Sequence, residues 1–521
     1  MVQSQPNILL IITDQHRADH TGFGGNSLVQ TPNLDRIASS GTVFDKAYVA
    51  NPICMPNRSS ILTGVVPSSH GVRYNGLPLD TSFETFVRIA RDAGYKTSLV
   101  GKSHLQNMND GPGIATALFK DSPQKDVWRQ TAPEGWDQYE LDERHKSEKV
   151  DIPEDFYGFD DLALTVQHSD YCSGHYYQWL IDKGVKPETI QGLEVAQNYS
   201  GNWQQVWKTS VPEELYPTTY VADETVRRIE HAATEAAPYL IQCSFPDPHH
   251  PFTPPGKYFD MYDPADVALP QTFNQDHSKS PGMFQSMIET RGSQLFKMAP
   301  FSPTEEQFRD MAAKEYGMIT MIDDAVGRVL QALEKSGLAD DTIVIFTSDH
   351  GDVFGDHGLM LKSTMHYEGV IRVPLAISGP GINSARSTSL VSSLDIGSTI
   401  LDLIGEEARF GTQGQSLRPV LDDPTTAIRD QILVEEEQIF PDPDTGRQIN
   451  MRSVVTSNGR LTVKSRQPLV GELYDFQNDP LETNNLFDDG AANGLKTEMM
   501  DRLVDTMMTH STSLRRPLAM A

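Results

Sequence analysis

The sequence predicts an α/β protein: a sandwich around a mostly parallel central sheet, followed by a smaller C-terminal α+β domain. Three observations carry this. Continuous apolar runs of strand length alternate with helix-like stretches up to about residue 405. Four of those runs stop abruptly at a cluster of ionisable or amide residues. Beyond that point the pattern shifts to short strands at 431–434, 452–456 and 461–464 and a helix over 495–508. The expected domains are therefore 1–405, with insertions near 106–216 and 255–303, and 406–521.

The first run covers 7–13, Asn-Ile-Leu-Leu-Ile-Ile-Thr, and leads into Asp14-Gln15. It is too short for a signal peptide or a membrane span and has no basic flank or cleavage site, so it reads as a buried first strand of a cytoplasmic protein. The run 95–101 leads into Lys102-Ser103-His104, and 239–245 leads into Pro246-Asp247-Pro248-His249-His250. The run 342–348 leads into Asp349-His350-Gly351-Asp352. Helix-like stretches cover 34–40, 83–93, 218–236 and 315–337. In sheets of this kind ligands bind beyond the carboxyl ends of the strands, so all four clusters are expected along one edge. Taken singly each has an ordinary explanation: Asp14 caps a helix, His249 is a loop histidine, Lys102 and His104 are solvated. Four together point to a site.

A chain of 521 residues can bury at least one large core. Its formal net charge of −28 repels phosphate backbones and anionic lipid, which excludes nucleic-acid and membrane-surface roles and argues against a long polyanionic substrate. Three cysteines, Cys54, Cys172 and Cys243, make no disulfide framework and no Cys-x-x-Cys pair.

The most informative stretch is Cys54-Met55-Pro56-Asn57-Arg58-Ser59-Ser60-Ile61-Leu62-Thr63-Gly64. Pro56 suits the first position of a helix and Gly64 the position just past its end, so Cys54 is expected to precede a short helix. A helix N-terminus favours an anionic nucleophile and an anionic substrate. Over its whole length the stretch resembles the signature of the type I sulfatases: Cys-x-Pro-x-Arg, three residues, then Leu-Thr-Gly. The resemblance implies an alkaline-phosphatase-like fold, conversion of Cys54 to Cα-formylglycine by a formylglycine-generating enzyme, and attack by the hydrated aldehyde.

Asp14, Gln15, Asp349 and His350 offer two carboxylates, an amide oxygen and an imidazole, a set suited to one divalent cation. The resemblance places the metal on these four, with the Cys54-derived oxygen completing the shell. Gln15 stands where many family members carry a second aspartate, and His350 where many carry asparagine. The combination is similar to that of choline sulfatases and phosphonate monoester hydrolases. Calcium is the family default, and the imidazole makes manganese the close alternative.

The other roles also come from the resemblance. Arg58 holds the nucleophile, Lys102 and Lys362 bind the ester oxygens, His249 serves the leaving group, and His104 takes a proton from the second hydroxyl of the hydrate. Asn75 resembles a substrate-side asparagine of the phosphonate hydrolases. Lys102 and His104 are two apart and are expected to point the same way in extended backbone. Lys362 precedes Glu368-Gly369 and Arg372-Val373-Pro374, a pattern that family members share. Further family-like blocks at 31–35, 393–395 and 472–475 carry the resemblance along nearly the whole chain.

The expected function is hydrolysis of a small aryl or alkyl sulfate monoester to an alcohol and inorganic sulfate. The alternative is a phosphonate monoester or phosphodiester hydrolase using the same site; a remoter one is an inactive binding protein on the same scaffold. Lys102 and His104 favour the sulfatase, because phosphonate hydrolases that otherwise resemble this chain carry uncharged hydroxyl residues at both places. The stretch 507–521 mixes Met, Leu and Pro with Arg515 and Arg516, and is expected to pack on a neighbouring subunit in a homodimer or homotetramer.

Overall fold

The run Asn-Ile-Leu-Leu-Ile-Ile-Thr is buried along its entire length and forms β1 (Asn7–Thr13), the strand around which the rest is laid. A computed structural model describes residues 5–109, 132–199, 201–294, 299–441, 448–465, 468–511 and 514–516. In it β1 lies between β6 (Tyr239–Ser244) and β7 (Thr342–Ser348), parallel to both, with Ile8 opposite Leu240 on one side and Ile343 on the other. On the far side of β6 lie β3 (Lys96–Lys102), then β4 (Asp161–Val166), both parallel, and the short antiparallel β5 (Ser173–Gly174). Beyond β7 the sheet continues through an antiparallel β8 (Leu375–Ser378) to the mutually parallel β2 (Gly41–Tyr48) and β9 (Ala385–Ser392). The full order is β5-β4-β3-β6-β1-β7-β8-β2-β9.

Side chains alternate across a strand, so β1 feeds two separate cores. Ile8, Leu10 and Ile12 pack on a layer that includes the helices Cys54–Thr63, Phe86–Asp92 and Asp395–Ile404. Leu9 and Ile11 pack on the opposite layer, from the helices Pro32–Ser40, Pro217–Ala232 and Glu305–Lys335. A central sheet covered on both faces must be apolar throughout, which is why its strands are legible as continuous runs.

The helix expected over 315–337 starts ten residues earlier. Thr304 and Gln307 form a capping box there, the threonine hydroxyl accepting from the Gln307 N–H at 3.2 Å and the Gln307 side chain accepting from the Thr304 N–H at 2.9 Å. The segment read as an insertion over 106–216 contributes β4 and β5 to the main sheet, and residues 110–131 within it lie outside the described part. β9 escaped the apolar pattern because it is an edge strand with exposed polar residues in its first half.

The C-terminal part is an antiparallel sheet of β10 (Gln431–Pro441), β11 (Gln448–Thr456), β12 (Gly459–Lys464) and β13 (Val470–Asp475), in that order. The helix Asn493–His510 covers it through Met499 and Leu503, which meet Leu433, Val454, Leu461 and Leu473. Ala50, Val66 and Leu394 belong to the same core, so this sheet packs against the region around the Cys54 helix. Of the tail expected to reach a neighbouring subunit, 512–513 and 517–521 lie outside the described residues; Arg516 stacks over Phe410 of its own chain at 5.2 Å. Among the described residues no helix is long and apolar enough to cross a membrane.

Ile11 is fully buried between the parallel neighbours of β1. Ile11→Ala is expected to lower unfolding stability by about 2–5 kcal/mol in chemical denaturation. A loss below about 1 kcal/mol would show that the site collapses around the cavity.

Candidate active site

The carboxyl ends of β4, β3, β6, β1 and β7 lie side by side, and each delivers polar residues to one place. β1 gives Asp14 and Gln15, β3 ends in Lys102, and β7 is followed by Asp349 and His350. The loop after β6 brings His249 and His250, and the loop after β4 brings His168. Cys54 comes from below, as the first residue of its helix. That helix begins two residues earlier than expected, so Pro56 takes its third position, where the missing N–H is equally harmless. Gly64 ends it at φ 70°, the left-handed conformation that suits glycine.

Asn57 and Arg58 seat this helix on the strand ends. Asn57 Nδ2 donates to the Asp349 carbonyl at 2.5 Å, and its Oδ1 accepts from the Ala50 N–H and the Ser393 hydroxyl. Arg58, only 4% exposed, donates through Nε to Asp349 Oδ2 at 2.7 Å and through Nη2 to Asp14 Oδ2 at 3.4 Å. Its Nη1 donates to the Lys102 carbonyl at 2.9 Å and to Ser244 Oγ at 2.8 Å. One guanidinium thus touches the ends of β7, β1, β3 and β6. Asn75 also serves this helix: its Oδ1 accepts from the Met55 N–H at 3.2 Å, one of the donors that a helix start leaves unpaired.

Cys54 Sγ lies 3.1 Å from His350 Nε2 and 3.8 Å from Asp14 Oδ1. His350 Nε2 is in turn 3.6 Å from Asp14 Oδ1 and 3.5 Å from Asp349 Oδ1. Its Nδ1 donates to the Gly351 carbonyl at 2.9 Å, which leaves the Nε2 lone pair facing the carboxylates. Burial pulls this imidazole down to about 4, so it is neutral. Asp14, Cys54, Asp349 and His350 each offer one ligand atom within 4.8 Å of the others. Converging carboxylates around a neutral imidazole lone pair fit a divalent cation. Gln15 Nε2 donates to Asp352 Oδ2 at 2.8 Å, and its Oε1 accepts from Lys362 Nζ at 2.6 Å.

Burial alone would raise the Asp14 carboxyl, but Lys102, Arg58, His168 and His350 hold it well below the usual range. The Cys54 thiol moves the other way, pushed up to about 11 by burial and then by Asp14. As a thiol it is therefore protonated at neutral pH and a weak nucleophile.

Lys102 Nζ donates to Asp14 Oδ2 and to His168 Nε2, the latter at 2.6 Å. His168 stacks on His249 at 3.7 Å between centroids, and His249 stacks on His250 at 4.1 Å. Burial lowers the basicity of all three imidazoles, with nearby cations adding to it. His249 Nδ1 donates to the His250 carbonyl at 2.5 Å, which leaves Nε2 directed elsewhere. His104 is not in extended backbone: β3 ends at Lys102, and His104 has φ 56°, so the alternation expected of the two side chains does not apply. Its ring stands edge-on to His168, 6.4 Å away. The loop is fixed by Glu140, a buried carboxylate accepting the N–H groups of His104, Leu105 and Gln106 at 2.7, 3.0 and 3.1 Å. His104 Nδ1 and His250 Nε2 are buried with no partner among the described residues, as expected of groups that await a polar ligand.

The structure thus brings together all the residues singled out in the sequence, with Asn75 attached through the helix start. It adds His168 and Glu140, and gives contacts to His250, Asp352 and Asn57, which the sequence alone left without a role. His168 had a signal, since an apolar run stops at Gln167-His168-Ser169-Asp170 as the other four do. Glu140 had none.

The sequence model of the family described as Sulfatase matches residues 6–406, and that described as N-sulphoglucosamine sulphohydrolase, C-terminal, matches 355–509. An arylsulfatase of Clostridium perfringens is 29% identical over 92% of this chain and 90% of its own. A choline-sulfatase of Rhizobium meliloti is 27% identical over 93% and 83%. Among solved structures, the phosphonate monoester hydrolase of Agrobacterium radiobacter superposes with a TM-score of 0.76 at 25% identity, over 97% of this chain and 96% of that one.

Removing Arg58 leaves Asp14 and Asp349 buried without their shared cation. Arg58→Ala is expected to cost about 3–5 kcal/mol of stability in denaturant titration of metal-free protein. Adding a divalent cation should recover part of that loss in the variant. An unchanged unfolding midpoint would show that the carboxylates find other partners.

Proposed function

The chain belongs to the sulfatase family, a family of sulfuric ester hydrolases, and from that premise we propose that it hydrolyses a small aryl or alkyl sulfate monoester to an alcohol and inorganic sulfate. The observation that carries the reading is the meeting of Cys54, two carboxylates and a ring of cations and imidazoles at adjoining strand ends. Asp14, Gln15, Asp349 and His350 would hold one divalent cation, calcium or manganese, which supplies Lewis-acid stabilisation of developing charge. Cys54, converted to Cα-formylglycine by a formylglycine-generating enzyme, would supply a geminal hydroxyl as nucleophile. Assembly into a homodimer or homotetramer belongs to the same proposal.

The remaining tasks fall to groups whose geometry suits them. Arg58 keeps Asp14 and Asp349 in place and balances their charge. Lys102 gives two of its three protons to Asp14 and His168, and the third is left for an ester oxygen. Lys362 reaches in beside Gln15. Such preorganised cations stabilise charge that spreads over the equatorial oxygens in the transition state. His249 has Nδ1–H committed to a carbonyl and burial holds the ring neutral, so its Nε2 is the atom that would face the leaving oxygen, and it would deliver a proton there only after taking one up in the substrate complex. His104 Nδ1, without a partner among the described residues, would accept the proton of the second hydroxyl of the hydrate. The cationic Lys102 and the imidazole of His104 favour this reading over phosphonate hydrolysis, despite the likeness in fold.

The test is a substrate panel on matured, metal-loaded protein. An aryl sulfate is expected to exceed the matching phenyl phosphonate by at least about tenfold in kcat/KM, a difference of about 1.4 kcal/mol in transition-state binding. A phosphonate preferred by a wide margin would replace sulfatase with phosphonate hydrolase.

Peptide mass spectrometry checks the nucleophile. The tryptic fragment 47–58 should lose the thiol and be trapped by a carbonyl reagent. Cys54→Ala should keep the fold and lose activity, and an unmodified cysteine in fully active protein would sink the mechanism.

A further inference from the structure

Lys362 enters the site on a loop with three non-glycine residues in the left-handed region: Leu361 at φ 74°, Ser363 at 82° and Thr364 at 65°. Such conformations persist only where surrounding groups hold them. Here the holding groups come from the C-terminal sheet. Glu436 of β10, 1% exposed, accepts the Ser363 hydroxyl at 2.9 Å and the Thr364 N–H at 2.8 Å on one carboxylate oxygen. Its other oxygen lies 3.1 Å from His366 Nε2, while His366 Nδ1 is 2.6 Å from Ser453 Oγ of β11. Ser453 is hydrogen-bonded at 2.6 Å to Thr462 of β12. The buried Lys464, at the end of β12, donates to the Thr364 carbonyl at 3.2 Å.

Two strands of the second sheet, β10 and β12, therefore grip the two residues that follow Lys362, and β11 supports the grip through His366. Both oxygens of one buried carboxylate are used, one on the loop and one on the imidazole that anchors it to β11. On the other side of this grip, Lys362 Nζ sits 2.6 Å from Gln15 Oε1, inside the strand-end cluster.

We propose that Glu436 is a positioning residue of the reaction: by fixing the strained loop it sets where the Lys362 ammonium stands, which makes the C-terminal sheet part of the catalytic unit. The inference rests on the reading that Lys362 binds an ester oxygen. A carboxylate that merely fastened the two sheets together would affect stability and would not act through Lys362.

A double-mutant cycle on the matured, metal-loaded full chain separates the two, with an aryl sulfate as substrate. Lys362→Ala is expected to lower kcat/KM about 100-fold, as loss of one oxyanion donor does. Glu436→Ala should lower it at least about tenfold in the wild-type background and by less than about twofold in Lys362→Ala, because residues acting through one another are not additive. Glu436→Gln, which keeps an acceptor for Ser363 and Thr364, should recover part of the rate. Ser363→Ala removes one donor at a half-buried position; it should lower kcat/KM without moving the unfolding midpoint, and it carries the cycle if Glu436→Ala does not fold. If Lys362→Ala is impaired but the Glu436 or Ser363 changes are silent, or if their effects add in full, the inference is overturned and the reading of the site stands. If Lys362→Ala itself keeps the wild-type rate, the reading of the site falls and takes the inference with it.

Discussion

Asp14 and Asp349 stand at the ends of the adjacent strands β1 and β7, both fully buried, and Arg58 lies between them. Two buried carboxylates this close cannot both stay ionised without a cation, and a buried guanidinium is equally costly without acceptors. Arg58 and Asp349 therefore depend on each other, while Asp14 is shared between Arg58 and Lys102. The planar fork of arginine adds direction to charge, which an ammonium could not do. By also reaching the Lys102 carbonyl and Ser244, Arg58 sets the helix that carries it against the ends of four strands. Cys54 lies one helical turn before Arg58 on the same face, so its position follows from where the arginine is seated. Asn57 reinforces this from the next residue, through the Asp349 carbonyl.

How much of this is legible in the residues depends on whether a feature is local. β1 and β7 have the limits their apolar runs imply, because a strand covered on both faces has no exposed position to interrupt the pattern. The polar clusters at the ends of β1, β3, β6 and β7 were legible for the same reason: each marks where burial ends. β4 has the same signature, yet its place among weakly family-like sequence hid both the strand and His168. The start of the long helix at Glu305 also had a local sign in the Thr304 and Gln307 capping pair, yet the apolar periodicity placed it ten residues later. Other contacts leave no local trace. Glu140 holds the His104 loop across more than thirty residues, and Glu436 holds the Lys362 loop across about seventy. Neither spacing has a period, and a lone glutamate looks like any solvated one until its partners are known. The left-handed conformation of His104 is illegible too, since histidine adopts it more often than most residues but still in a small minority of positions. That is why the two-residue spacing from Lys102 misleads about direction.

The acidity of the chain and the character of its site are separate matters. A net charge of −28 describes the surface and its repulsion of polyanions. At the strand ends, Asp14, Asp349 and Asp352 are offset by Arg58, Lys102 and Lys362, while the clustered imidazoles are held neutral, chiefly by burial. Such a cluster is close to electrically balanced by itself. Its preference is then decided by what enters it. A divalent cation held by the carboxylates would tip the balance positive by two charges. An ionised nucleophile and an ester of single negative charge would restore it, whereas a dianionic ester would overshoot. Sulfate monoesters carry that single charge and need little proton assistance at a good leaving group, which suits imidazoles whose basicity burial has lowered. The same balance gives each lysine weight: in a buried site its charge is little screened, and its position matters more than the number of its neighbours.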